Sequence, residues 1–170
     1  MNDTLTLPER LGEVTATHVS PVPKGYHSVT PYLIVKGAAK AIEFYKAVFG
    51  ATERMRMPGP NGTILHAELN LGDSVIMLAD EMPAMEFHSP EALGGSPVGI
   101  LVYVKDVDGC AAKAVAAGAK ALKPVQDQFY GDRSGTIADP FGHIWTIATH
   151  IEDVSPAEMQ RRMAEMKPCG

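Results

Sequence analysis

The chain states one pattern twice. Leu33-Ile34-Val35-Lys36, an alanine-rich helical stretch from Gly37 to Phe49, Gly50-Ala51 and the closing run Gly72-Asp73-Ser74-Val75-Ile76-Met77 return about 70 residues later. Their counterparts are Val102-Tyr103-Val104-Lys105, Asp106 to Ala117, Gly118-Ala119 and Gly142-His143-Ile144-Trp145-Thr146-Ile147. A repeat of this size is one supersecondary unit used twice, with the two copies sharing a core. The space between the copies is a natural place for a ligand.

Hydrophobic period and turn residues give the order of elements. Val29 to Val35 reads as a strand, and the helix after Gly37 carries Ala41, Phe44, Tyr45, Val48 and Phe49 at three- and four-residue spacing. Strands follow at Thr52 to Met57, Thr63 to Leu71 and Ser74 to Ala79. The second copy has strand Val98 to Val104, helix Val107 to Ala117, strand Lys120 to Val125, a turn around Gly131 to Gly135, strand Thr136 to Ala138 and strand His143 to Thr149. Both units are β-α-β-β-β. Residues 1–28 read as an irregular arm, 29–81 as the first unit, 82–97 as an exposed Pro- and Gly-bearing linker, 98–150 as the second unit and 151–170 as a tail. In the tail, Ser155-Pro156-Ala157-Glu158 starts a short helix through Met166.

Bulk properties exclude several classes. With 15 Lys and Arg against 20 Asp and Glu the net charge is -5, and no basic stripe is present. This argues against nucleic acid as the partner. No run has the length of a membrane span, and Met1 to Lys24 lacks the order of a signal peptide. Cys110 and Cys169 make no disulfide framework. The expectation is a cytoplasmic protein.

The strings Gly25-Tyr26-His27-Ser28-Val29-Thr30-Pro31-Tyr32-Leu33, His66-Ala67-Glu68-Leu69, Gly131-Asp132-Arg133 and Asp139-Pro140-Phe141-Gly142-His143-Ile144-Trp145 resemble the vicinal-oxygen-chelate superfamily. Within it they look like the glyoxalase/bleomycin-resistance subgroup known as PhnB-like. The resemblance implies an α+β fold of two tandem βαβββ modules with curved half-barrel sheets, and a homodimer. In catalytic branches four side chains from the first and last strands of each module bind a divalent metal. Laid on this chain, those positions are Thr30, Ile76 or Met77, Gly99 and Thr146, which is a poor donor set for a hard cation. The expectation is therefore no metal cofactor.

Strand alternation sorts the remaining residues by face. Leu65, Ala67, Leu69 and Leu71 should pack on the helix, leaving Ile64, His66, Glu68 and Asn70 toward the cleft or solvent. Thr30, Tyr32, Ile34, Gly99, Leu101, Tyr103, Ile144, Thr146 and Ala148 fall on the cleft side, and Trp145 toward its own helix. Tyr32 and Tyr103 either stack on a planar ligand or fill the cleft. His66 and Glu68 are a base with its carboxylate, a pair of hydrogen-bonding anchors, two ligands of a relocated divalent metal site, or a solvated edge pair. Asp132 and Arg133 are a turn-stabilising pair or a lid. His143 reads as structural, His27, His88 and His150 as surface groups, and Cys110 as packing.

Three functions follow. The first is a metal-free binding protein that sequesters or carries a small organic molecule, planar or cationic, through Tyr32, His66, Glu68, Tyr103 and Thr146. The second is a metal-dependent lyase, isomerase or dioxygenase with His66 and Glu68, joined by His27 or His143, as catalytic candidates. The third is a regulatory or structural dimer.

Overall fold

The computed structural model describes residues 19–165. Most of the expected N-terminal arm, together with Met166 of the expected tail helix and Cys169, lies outside the described residues. The first unit runs β1 (Tyr32–Val35), α1 (Ala38–Phe49), β2 (Thr52–Pro58), β3 (Ile64–Leu71) and β4 (Ser74–Asp80). A short helix α2 (Pro90–Leu93) lies in the connection. The second unit runs β5 (Gly99–Tyr103), α3 (Val107–Ala116), β6 (Lys120–Asp127), β7 (Asp132–Ala138) and β8 (Ile144–His150), followed by α4 (Pro156–Glu165). Each unit is an open four-stranded sheet, ordered β1-β4-β3-β2 and β5-β8-β7-β6. The first strand is parallel to the last and the other pairings are antiparallel.

The two long helices start by different means. At α1, Gly37 has φ 95°, a conformation glycine adopts without a Cβ penalty. The cap is brought from β4, where Asp80 accepts from the N–H groups of Gly37, Ala38 and Ile64. At α3, Asp106 accepts from Gly109 N–H, and Thr149 of β8 accepts from Val107 N–H. Both arrangements satisfy donors that have no partner inside the helix.

One core serves both units. Helix α1 buries Ala38, Ala41, Ile42, Phe44, Tyr45 and Val48 and packs against α3. Helix α3 offers small residues, burying only Val107, Cys110 and Ala114. The volume is filled by rings from both units: Trp145 lies 4.8 Å from Phe49 and 5.4 Å from Tyr45, and Phe44 meets Phe141 edge-on at 6.1 Å. Each such aromatic pair contributes about 0.5–1.5 kcal/mol beyond area burial. Trp145, expected to face its own helix, meets the rings of α1 because those rings occupy the space the small side chains of α3 leave.

Asp139 sits at the centre of this junction with 4% exposure. Its carboxylate accepts from the Tyr45 hydroxyl at 2.7 Å, from Trp145 Nε1 at 2.9 Å, and from the backbone N–H groups of Phe141 and His143. A buried carboxylate is tolerable only when its lone pairs are used, as they are here. Burial, and then the negative charge of Asp139, pushes the Tyr45 phenol well above its ordinary value.

Several expectations shift. Residues 82–97 are mostly exposed, and they are anchored in the middle, where Ser89 and Pro90 are buried and Ser89 Oγ donates to Glu81 Oε2 at 2.6 Å. Asp132 and Arg133 lie in β7 rather than in a turn, paired with His150 and Thr149 of β8. Ile64 is buried and Leu65 exposed, the reverse of simple alternation, because the β2–β3 register slips between Met57 and Pro58.

Candidate functional site

The seam between the two sheets forms a cavity. Strands β1 and β5 are both edge strands, so neither closes the other's sheet. In β1, Leu33 and Val35 enter the core and leave Tyr32 and Ile34 outward. In β5, Ile100 and Val102 pack on the core and leave Gly99, Leu101 and Tyr103 exposed. The connection folds over the seam: Pro90 is held close to Gly142, where a Cβ would come within 2.9 Å of the proline Cβ. His143 Nε2 donates to the Ile34 carbonyl at 3.1 Å and ties the second unit to β1. Together these enclose about 560 Å³ lined by Tyr32, Ile34, Pro90, Ser96, Leu101 and His143, among others. The wall is largely apolar.

A polar chain runs away from this wall. Tyr32, Met77 and Glu68 stand in register across β1, β4 and β3. The Tyr32 hydroxyl lies 2.8 Å from His66 Nδ1, and His66 Nε2 lies 3.3 Å from Glu68 Oε1. The other Glu68 oxygen accepts from the Tyr26 hydroxyl, with Arg54 Nε at 3.9 Å and the guanidinium 4.5 Å over the Tyr26 ring. The bond from Tyr26, with further help from His66 and Arg54, holds the Glu68 carboxyl below the usual range despite its burial. A carboxylate only accepts, so Nε2 of a neutral His66 carries the proton and Nδ1 receives the Tyr32 hydroxyl. The Tyr32 hydroxyl, on the wall of a ligand-sized cavity, thus donates to the imidazole, and burial raises the phenol above its ordinary pKa.

The second unit has a related set in another order. The Tyr103 hydroxyl donates to Asp132 Oδ2 at 2.8 Å, and Oδ1 lies 2.7 Å from His150 Nδ1. His150 Nε2 reaches Asp153 at 3.1 Å. Asp132 is buried, and its bond, with that of Asp153, raises the His150 pKa. Arg133 bridges Asp108 of α3 and Asp127 of β6, so it braces the unit.

The sequence candidates are thus partly gathered. Tyr32, His66 and Glu68 form one chain, with Tyr32 at the cavity wall. Tyr103 lines an adjoining cavity of about 350 Å³ against the β3–β4 turn, which shares Val29, Pro31, Ile100 and Leu101 with the cavity of Tyr32. By the sequence repeat, in which Val35 matches Val104, Leu101 occupies the position equivalent to Tyr32. Thr146 pairs with Leu101 and lies 3.5 Å from the Thr136 hydroxyl. His27 sits 3.4 Å from Ser74, and His143 is at the seam, so neither joins His66. Asp139, Tyr26 and the Asp132–His150 pair escaped sequence reading. Only Asp139 carried a signal, as an aspartate two residues before Phe141 able to bond its own turn.

The positions the resemblance assigns to a metal do not fit one. Thr30 bonds the His27 carbonyl, Ile76 is buried in the core, Gly99 has no side chain and Thr146 faces another hydroxyl. Around His66 and Glu68, the Arg54 guanidinium stands where a cation would compete. Among the described residues no three His, Cys, Asp or Glu side chains gather as a ligand set.

Residues 25–147 match the family model of the Glyoxalase/Bleomycin resistance protein/Dioxygenase superfamily. An uncharacterised protein of Mycobacterium tuberculosis is 38% identical over 159 residues, covering 92% of this chain and 90% of its own. Among solved structures, TioX from Micromonospora sp. ML1 is 28% identical with a TM-score of 0.56, covering 72% of this chain and 98% of that one. A gene product of Arabidopsis thaliana is 30% identical with a TM-score of 0.56 and the same coverage.

Proposed function

We propose that this chain, which belongs to the Glyoxalase/Bleomycin resistance protein/Dioxygenase superfamily, is a PhnB-like cytoplasmic protein that binds a small organic molecule in the seam cavity and carries or sequesters it without a metal. The observation that supports this most is the cavity itself. Its volume of about 560 Å³ falls in the range of small-molecule sites, and it pairs an apolar wall with a few polar groups. A homodimer belongs to the same proposal, because Met55, Met57, Leu65 and Leu122 leave apolar rows exposed on the sheets.

A thermal-shift screen of planar apolar compounds on the wild-type chain and on Leu101→Trp tests the reading. A compound at a hundred times its Kd adds about 2.7 kcal/mol, or about 5–10 °C in Tm for a domain of this size. Leu101 is half exposed, so the indole enters the cavity without disturbing the core. The expected result is a shift in the wild type and none in Leu101→Trp. Equal shifts in both overturn the site.

The 2.8 Å contact between Tyr32 and His66 favours a second reading, in which the bound molecule exchanges a proton through this chain in a lyase or isomerase. Solvent deuterium entering a bound hit in the wild type, and not in His66→Ala, would support it. No deuterium in either would leave the binding role alone.

A further inference from the structure

Resting on the cavity reading above, we infer that the seam cavity selects a flat apolar molecule whose polar edge is a hydrogen-bond donor, an organic ammonium or an N–H heteroaromatic ring, and discriminates against carboxylates. The reason lies in where the protons of its polar side chains go. Tyr32, His88, Ser96 and His143 all line the cavity. The Tyr32 hydroxyl is directed to His66 Nδ1. The Ser96 hydroxyl donates to the Val98 carbonyl at 3.0 Å and accepts from the Val98 N–H at 3.4 Å, which leaves it one lone pair. His143 Nε2 faces the Ile34 carbonyl, and His88 Nε2 lies 3.4 Å from the Glu86 carboxylate. Carbonyls and carboxylates only accept, so each of these nitrogens carries the ring's proton and the second nitrogen of a neutral imidazole is an acceptor.

All four side chains thus have their protons committed to acceptors within the protein and keep acceptor capacity. The seam-facing edges of β1 and β5 do not reverse this balance, since an unpaired strand edge offers N–H and C=O groups alike. The Tyr32 ring adds a face attractive to cations. The Tyr32 orientation is enforced from behind, because Glu68 fixes the His66 tautomer and is itself held by Tyr26 and Arg54. Among these side chains a ligand carboxylate would meet acceptors only, and a polar group left without a side-chain partner costs affinity.

Three probes of one shape test this at pH 8, where free imidazole is unprotonated: 2-naphthylmethylammonium, 2-naphthoate and naphthalene. Affinities are measured by equilibrium titration at 0.15 M and 0.5 M NaCl. The expected order is ammonium tightest, at least about tenfold over naphthoate, with naphthalene between them and the order kept at high salt. In Tyr32→Phe/Ser96→Ala, which keeps the ring and removes two of the four acceptors, the advantage of the ammonium over naphthalene falls several-fold. Naphthalene binding with no ammonium preference overturns the inference alone. So does a preference that vanishes in high salt, which marks diffuse charge, or one that survives the double variant. Failure of all three probes to bind overturns the cavity reading and the inference with it.

Discussion

The two units share an element order and divide the labour of the core unequally. Helix α1 brings Phe44, Tyr45 and Phe49, whereas α3 brings Cys110, Ala111 and Ala114. The second unit repays this with Trp145 and with Asp139, the acceptor for the first unit's Tyr45. The polar sets differ in the same spirit. In the first unit histidine stands between phenol and carboxylate, and the phenol faces the seam cavity. In the second the carboxylate stands between phenol and histidine, and the imidazole faces the tail. A duplicated frame has thus kept its strands while only the first copy places a histidine behind a hydroxyl that lines the seam cavity. The repeat is a repeat of architecture, and the chemistry is local to each copy.

The strongest way to break this picture is at the shared junction. Asp139→Ala leaves the Tyr45 hydroxyl and the Trp145 indole N–H buried without a partner, at about 1–3 kcal/mol each. Urea denaturation should show a loss of about 2–6 kcal/mol and a single transition for both units. Two separated transitions would show that the units fold apart.

The pH dependence should have opposite signs in the two polar sets. Glu68 has a lowered pKa in the folded chain, so its stabilisation is present above the ordinary carboxylate value and is lost as pH falls through the folded one. The stability gap between wild type and Glu68→Gln, about 1–2 kcal/mol near neutrality, should close on acidification. His150 has a raised pKa, so its stabilisation is present below the unfolded imidazole value and is lost as pH rises through the folded one. The gap between wild type and His150→Gln should close on alkalinisation instead. Parallel pH profiles would contradict the contrast. The smallest effect is expected from Tyr103→Phe, which removes one partly exposed hydrogen bond, lowers stability by no more than about 1 kcal/mol and leaves affinity at the seam cavity unchanged. A calorimetric titration of any thermal-shift hit checks the second half.

Much of this was legible in the sequence. The three- and four-residue period of α1 and the double occurrence of the strand pattern mark both units, and Trp145 reads as core. Its partners did not, since α1 meets β8 only through the docking of one unit on the other. His66 and Glu68 share a strand face by period, but Tyr32 reaches His66 from two strands away, across β4. Leu65 was misplaced because alternation fails where the β2–β3 register slips between Met57 and Pro58. Asp132 read as turn because Gly131 and Gly135 flank it, whereas the pairing from Asp132 to Ala138 with β8 carries the strand through Gly135 and leaves Gly131 just before it.

The most direct measurement of the central reading is methyl-resolved NMR of the chain titrated with a thermal-shift hit. Methyl signals of Val29, Ile34, Val98 and Leu101 should move together and saturate at one Kd, while those of Val115 and Val125, by the separate α3–β6 groove, stay in place. Movement at Val115 and Val125 with a silent seam would put the ligand elsewhere and contradict the assignment of the seam as the site.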